Sequence, residues 1–258
     1  AQRRGHVVLY ALQDDLYQRG GVARTLCQTA TLQAVQGDHA HLGPVQDIAL
    51  ADVDIVWMRK DPPFHMGYIF NTYLLDLAGA GTLVVNHPDG LRAMNEKAWA
   101  MRFPELVPES LITQSMSRIR AFVESLGAAV VKPLDGSGGE GVFIVRADDP
   151  NVGVILEAST QHGQRKVLAQ RYLPEAKLGD KRIILVDGEP VGAILRVPSG
   201  VDHRGNIHVG AKVHPTTLTA REREICATIG PALREAGQLF VGIDVIGDWL
   251  TEVNVTSP

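Results

Sequence analysis

Residues 239–258, LFVGIDVIGDWLTEVNVTSP, decide how the chain is read. Val241, Ile243 and Val245 alternate with small or polar residues. Gly247 and Asp248 mark a turn and residues 250–255 return, so the stretch reads as a β-hairpin. With a three-residue loop, 247–249, Asp244 lies opposite Glu252 and Asn254 follows two residues on along the same face. A two-residue loop puts Asp244 opposite Thr251 instead, away from Glu252. The first register sets two carboxylates and an amide oxygen on one wall, with Ile243, Val245, Val253 and Val255 on the other face. Hard oxygen donors of this kind suit Mg²⁺ held jointly by protein and phosphate. An edge hairpin with a solvated polar face is the alternative.

Working upstream, residues 219–236 after Pro215 read as an amphipathic helix, with Thr219 or Thr217 as N-cap and Gly237 as the stop. Two apolar runs, 183–186 and 191–197, flank Asp187-Gly188, a strong hairpin signal. Arg182 and Arg196 then stand on adjacent strands, where acids and phosphates compete for them. Residues 198–210 form a loop containing Arg204-Gly205-Asn206. VLAQRYL at 167–173 is a strand ending at Pro174, and its edge groups could meet a nucleotide base. In AVVKPLDGSGGEGVFIVR, 129–146, two apolar strands flank a loop with four glycines and Ser137. Glycines let backbone N–H groups approach phosphate oxygens, and Lys132 ends the entering strand where a cation would meet them. The lysine precedes the glycines and a strand follows them, so neither GxxxxGK[ST] nor a helix-opening GxGxxG applies. A plain flexible turn is the competing reading.

The first ninety residues alternate strand and helix patterns. Residues 7–10 read as a short buried strand, 13–47 as weakly periodic short strands and loops, and 53–58 as a strand stopped by Pro62 and Pro63. Arg59 thus sits at a strand's carboxyl end, where open α/β sheets bind ligands. It can hold an anionic substrate group or remain a solvated loop charge. Residues 68–80 have helical spacing, 82–85 form a strand, and 91–101 a helix carrying Asn95-Glu96-Lys97. A strand at 110–113 and a helix at 117–126 follow.

The chain has 258 residues, a formal net charge of −4 and a pI near 6.1. Its 45% apolar content is ample for a core, and its mild acidity gives no bulk reason to expect nucleic acid. Cys27 and Cys226 lack any CxxC spacing, so no zinc site or disulfide framework is indicated. No apolar run approaches the ~18 residues of a membrane span, and no signal peptide is visible. A cytoplasmic protein is expected. AQRRGH at the start reads as the end of a helix, so segments are expected beyond both ends of the span.

The order of these motifs resembles the ATP-grasp enzymes. More closely, MRKDPPF at 58–64, NEK at 95–97, KPLDGSGG at 132–139, GDKR at 179–182, DGEPV at 187–191, RGN at 204–206 and VGIDVIGDWLTEVNVTSP at 241–258 are similar to bacterial glutathione synthetase. The resemblance implies an ATP-grasp fold (α/β and α+β) preceded by a small open α/β, Rossmann-like domain. The expected division is 1–93 and 94–258, the latter with subdomains 94–172 and 173–258. It further implies ATP-dependent ligation of γ-glutamylcysteine and glycine, with release of ADP and phosphate through an acyl phosphate. Rival classes are another ATP-grasp ligase adding glutamate or D-alanine, and a non-catalytic nucleotide-binding module.

Residue by residue, the resemblance implies that Lys97 and Lys132 hold ATP phosphates and that Gly136, Ser137, Gly138 and Gly139 cover them. Gln170, Arg171, Tyr172 and Leu173 would meet adenine, and Asp180 the ribose. Arg182 and Arg196 would face phosphate, with Arg196, Arg204 and Lys132 acting in catalysis. Asp244, Glu252 and Asn254 would hold Mg²⁺, with Mn²⁺ as an alternative. Arg59, Arg204, Asn254 and Ser257 would lie near the peptide substrate. The implied assembly is a homo-oligomer, tetramer or dimer, with no nucleic-acid or membrane partner. Gly210-Ala211-Lys212 departs from the glycine pair and arginine expected there, which bears on the shape of that loop.

Overall fold

The computed structural model describes residues 1–60, 64–136, 138–198 and 212–258. They divide into two compact units, Ala1–Arg92 and Ala93–Pro258. In the first, strands β1 (Leu9–Tyr10), β2 (Leu16–Arg19), β3 (Val22–Leu32) and β4 (Ala40–Ala49) form an antiparallel sheet, with β1 and β2 on one side of β3 and β4 on the other. The short pieces expected between 13 and 47 are thus mainly two long strands. Small and mixed residues hide the alternation: Ala23, Thr25, Cys27 and Ala30 face inward on β3. Residues 7–10 are not a buried strand, since Val7 is 77% exposed and only Leu9 and Tyr10 pair. Strands β5 (Ile55–Trp57) and β6 (Leu83–Val85) are parallel, separated in sequence by helix α1 (Met66–Leu75).

Helix α2 (Pro88–Ala93) ends earlier than the 91–101 pattern suggests. The Asn95 side-chain oxygen accepts from the N–H groups of Lys97 (3.1 Å) and Ala98 (2.9 Å). This local bond competes with helix continuation and breaks the run. The chain resumes as a short 3-10 turn, Trp99–Arg102.

In the second unit, β7 (Ser110–Thr113), β8 (Ala128–Pro133), β9 (Phe143–Arg146) and β10 (Val167–Arg171) form a sheet in the order β7-β10-β8-β9. Helices α3 (Met116–Leu126) and α4 (Val152–Thr160) supply Ile119, Val123, Val152 and Leu156 to its core. A second sheet runs β13-β12-β11-β14-β15, from β11 (Asp180–Val186), β12 (Glu189–Val197), β13 (Lys212–Pro215), β14 (Phe240–Ile246) and β15 (Trp249–Asn254). Helix α5 (Ala220–Glu235) is capped as expected by Thr219, whose hydroxyl accepts from the Glu222 N–H, and packs on this sheet through buried Ile225, Ile229 and Leu233.

The final hairpin differs from the expected one in its turn. Ile246 pairs with Trp249, so the loop is the two residues Gly247 and Asp248. One step later the register shifts, because β15 carries an extra residue, Thr251, and Asp244 pairs with Glu252. A β-bulge thus does what the longer loop was expected to do. The Thr251 hydroxyl fixes the bulge by donating to the Asp244 carbonyl (3.0 Å). The edge of β15 is covered: Val253 N–H donates to the Glu96 carbonyl and Leu250 N–H to the Leu106 carbonyl, both at 2.8 Å.

α5 meets the β11–β12 turn backbone to backbone. A Cβ added at Gly230 would lie 2.6 Å from the Gly188 carbonyl oxygen. Ala is the better helix former by about 1 kcal/mol, but forcing apart two packed backbones costs about 1–3 kcal/mol. Gly230→Ala should therefore lower the urea midpoint; a raised midpoint would show that the turn moves freely.

Candidate active site

β11, β14 and β15 place Arg182, Asp244 and Glu252 in one cross-strand row. Asp180, two residues from Arg182 on β11, pairs with Arg196 on β12. Side chains spaced by two share a face, so these five charges converge. Asp244 is 5% exposed and accepts from Arg182 Nε (2.5 Å) and Nη2 (3.0 Å), from Arg196 Nη2 (2.9 Å) and from Asn254 Nδ2 (3.4 Å). Burial disfavours its ionised form, but Arg182 and Arg196 outweigh that and hold it below the usual carboxylate range. Gly242 makes room for this pair: a Cβ there would lie 3.0 Å from Arg182 Nη1.

Two lysines complete the cluster. Lys97 and Lys132, 3% and 8% exposed, approach Glu252 Oε1 to 3.8 and 3.3 Å. Lys97 also pairs with Glu96 and donates to the Gly136 carbonyl (2.8 Å), linking the glycine loop to the acidic wall. The loop's stem is held by Asn95 Nδ2, which donates to the Leu134 carbonyl (2.8 Å), and by an Asp135–Arg165 ion pair. Gly138 and Gly139 have φ of +66° and +78°, conformations that L side chains rarely adopt.

The other expected residues are placed as follows. Gln170 is buried on β10 and donates to Ser110 Oγ (2.9 Å). Arg171 pairs with Glu109 (2.6 Å), Tyr172 follows, and Leu173 is buried. The Ser257 carbonyl accepts from Arg182 Nη1 (3.2 Å). Arg59 belongs to the first unit, just past β5. Ser137, Arg204, Gly210 and Ala211 lie outside the described residues, as do Asp61, Pro62 and Pro63. Sequence reasoning gave a role to Lys97 but none to Asn95, Glu96 or the Asp135–Arg165 pair. The adjacent acid in Asn95-Glu96-Lys97 was the only signal for Glu96.

Burial, reinforced by the nearby charge of Glu252, pushes the Glu96 carboxyl up to about 7, against the pull of Lys97. Burial likewise raises Asp180 to about 6, against Arg196. Folded Glu96 therefore holds its proton more tightly than the unfolded chain does. Its contribution to stability is full below the ordinary value of 4.5 and is lost as pH rises through about 7. Without nucleotide or divalent cation, wild type should lose stability relative to Glu96→Gln across that window in urea melts. A difference constant with pH would contradict this.

Among the described residues no helix is long and apolar enough to cross a membrane. The description "Prokaryotic glutathione synthetase, N-terminal domain" matches residues 1–92, and "Prokaryotic glutathione synthetase, ATP-grasp domain" matches 96–258. The chain is 48% identical over 264 residues to glutathione synthetase of Gloeobacter violaceus, covering all of this chain and 82% of that protein. It is 47% identical over 258 residues to that of Agrobacterium fabrum, covering all of this chain and 81% of that protein. Among solved structures, a D-cycloserine synthetase superposes with a TM-score of 0.65 at 13% identity, covering 82% of this chain and 78% of the other, a likeness of fold. On its sequence and on both of its domains, the chain belongs to the prokaryotic glutathione synthetase family.

Proposed function

We infer that the chain makes glutathione, joining the cysteinyl carboxylate of γ-glutamylcysteine to the amine of glycine as ATP becomes ADP and phosphate. The observation that carries this reading is the convergence of Lys97 and Lys132 on Glu252 beside the glycine loop. Two nearly buried ammonium groups beside a glycine-rich loop suit a polyphosphate, whose oxygens such a backbone can approach closely. Buried ion pairs are costly to assemble for stability alone, which favours a ligand-binding role.

The residues also fit a divalent cation. Among the described residues no three His, Cys, Asp or Glu side chains gather at one point, so the acidic donors here are a pair. A pair of carboxylates with an amide oxygen is the sparse set that Mg²⁺ takes beside phosphate. Asp244, Glu252 and Asn254 would hold it, and the 3.4 Å bond from Asn254 is the weakest that Asp244 accepts. When bound, Mg²⁺ would draw negative charge from the phosphate oxygens.

A carboxylate repels an amine's lone pair and has no good leaving group. Its oxygen attacks the γ-phosphorus, ADP departs, and an acyl phosphate results. The amine of glycine attacks that carbonyl carbon, the C–O bond to phosphate breaks, and the nitrogen gives up a proton to the departing phosphate or to water. Lys97 and Lys132 offset charge on the phosphates and Arg196 offsets charge on the transferred group; positioning and electrostatics of this kind supply most of the catalysis of phosphoryl transfer. The glycine loop excludes water, which would hydrolyse the acyl phosphate. A guanidinium is a fork-shaped cation suited to a carboxylate, the role that the family resemblance gives to Arg59 and to Arg204. A homo-oligomer and a cytoplasmic location belong to the same reading, the first open to light scattering.

ADP release measured with γ-glutamylcysteine, D-alanine or glutamate as acid, each with several amines, tests the substrate. The dipeptide with glycine should give the largest kcat/KM; a larger value with D-alanine or glutamate would leave an ATP-grasp ligase of other substrate. Glu252→Gln should cut turnover at least ~10²-fold at saturating Mg²⁺, and near-normal turnover would remove Glu252 from the metal site.

A further inference from the structure

Each residue of Asn95-Glu96-Lys97 is bonded to a different part of the site. Asn95 Nδ2 donates to the Leu134 carbonyl (2.8 Å), in the stem between β8 and the glycine loop. The Glu96 carbonyl accepts from the N–H of Val253 (2.8 Å), which stands between Glu252 and Asn254 on β15. Lys97 Nζ donates to the Gly136 carbonyl (2.8 Å) and lies 3.8 Å from Glu252 Oε1. Three consecutive residues thus join the loop to the strand that carries Glu252 and Asn254.

Asn95 uses both ends of its amide in this bridge. Its Oδ1 accepts from the N–H groups of Lys97 (3.1 Å) and Ala98 (2.9 Å), while its Nδ2 faces the Leu134 oxygen. A carboxylate would cap the turn but set oxygen against oxygen at Leu134, and an aliphatic side chain would do neither. The other ties on the stem do not replace this one. Asp135 pairs with Arg165, which leads into β10 of the same sheet as β8. The Lys97 ammonium is drawn off Gly136 by any phosphate it binds, whereas the neutral Asn95 bond has no such competitor. The stem also transmits the constraint, because it is tightly packed: a Cβ on Gly136 would lie 2.5 Å from Pro133 Cγ.

We propose that Asn95 is a positioning residue, which holds the glycine loop closed at a fixed distance from the strand carrying Glu252 and Asn254. This rests on the ligase reading above. A loop held less firmly opens more often, and water then reaches the acyl phosphate. Its hydrolysis returns γ-glutamylcysteine and phosphate after ATP has become ADP. The signature is therefore ADP formed without glutathione. A general loss of stability lowers the amount of active enzyme and reduces both products alike.

The test compares wild type with Asn95→Asp, which keeps the cap on the turn and loses the bond to Leu134. Hydrogen–deuterium exchange of residues 134–141 is followed with Mg²⁺ and a saturating non-hydrolysable ATP analogue. ADP and glutathione are quantified together during turnover. In Asn95→Asp the loop amides should exchange about fivefold faster, the worth of one ordinary hydrogen bond, with α5 unchanged. ADP should exceed glutathione, where wild type gives equal amounts. Wild-type exchange in the loop, equal ADP and glutathione, or an acceleration shared equally by α5 would each overturn the proposal. Should Asn95→Asp fail to fold, Asn95→Ser, whose hydroxyl can cap the turn but is too short for Leu134, is read by the same criteria. Wild type that releases no ADP with γ-glutamylcysteine and glycine would instead overturn the ligase reading.

Discussion

The charged wall depends on one buried carboxylate, Asp244, held by two guanidinium groups. Placing an ion of this size in the interior costs several kcal/mol, and only close, directed partners offset it. Arg182 approaches from β11 and Arg196 from β12, with Asp180 taking the rest of Arg196. Removing Asp244 would leave Arg182 without its carboxylate and Arg196 with Asp180 alone, and breaking a buried pair in this way costs about 3–5 kcal/mol in comparable cases. The same arrangement holds the Asp244 carboxyl below the usual carboxylate range, while burial raises Asp180 to about 6 and Glu96 to about 7, so neighbouring carboxyls release their protons at different pH.

A single extra residue sets that geometry. The turn at Gly247 and Asp248 has two residues, and continued pairing in that register would put Asp244 opposite Thr251. A one-residue slip turns every side chain to the opposite face, which would send Glu252 away from the lysines. The bulge at Thr251 absorbs the mismatch and is buttressed by its hydroxyl bond to Asp244. Sequence reasoning reached the Asp244–Glu252 pairing by assuming a longer loop. Spacing alone does not distinguish a three-residue loop from a two-residue loop with a bulge.

Legibility elsewhere followed the strength of the local signal. The Asp187-Gly188 hairpin, the Thr219 cap and the strands around the glycine loop stood out because turn chemistry and apolar alternation agreed. α4 has no clear sequence signal: Val152, Val154, Ile155 and Leu156 are β-branched or aliphatic residues in a short run interrupted by Gly153, which suits no single period. β3 was obscured by its small inward residues, and the helix expected at 91–101 was broken by one Asn95 side chain. The contacts of Lys97 with Gly136 and of Lys132 with Glu252 span 39 and 120 residues and depend on how two sheets meet. Periodicity in either segment carries no trace of them.

The account stands on the claim that Asp244, Glu252, Lys97 and Lys132 form one site for a metal-bound polyphosphate. Diffraction at the manganese absorption edge, from crystals grown with Mn²⁺ and a non-hydrolysable ATP analogue, tests it most directly. The account predicts an anomalous peak bonded to the Asp244 and Glu252 carboxylates and the Asn254 amide oxygen, with both lysines on phosphate oxygens. A peak ligated only by phosphate and water, or phosphates placed away from Lys97 and Lys132, would contradict it.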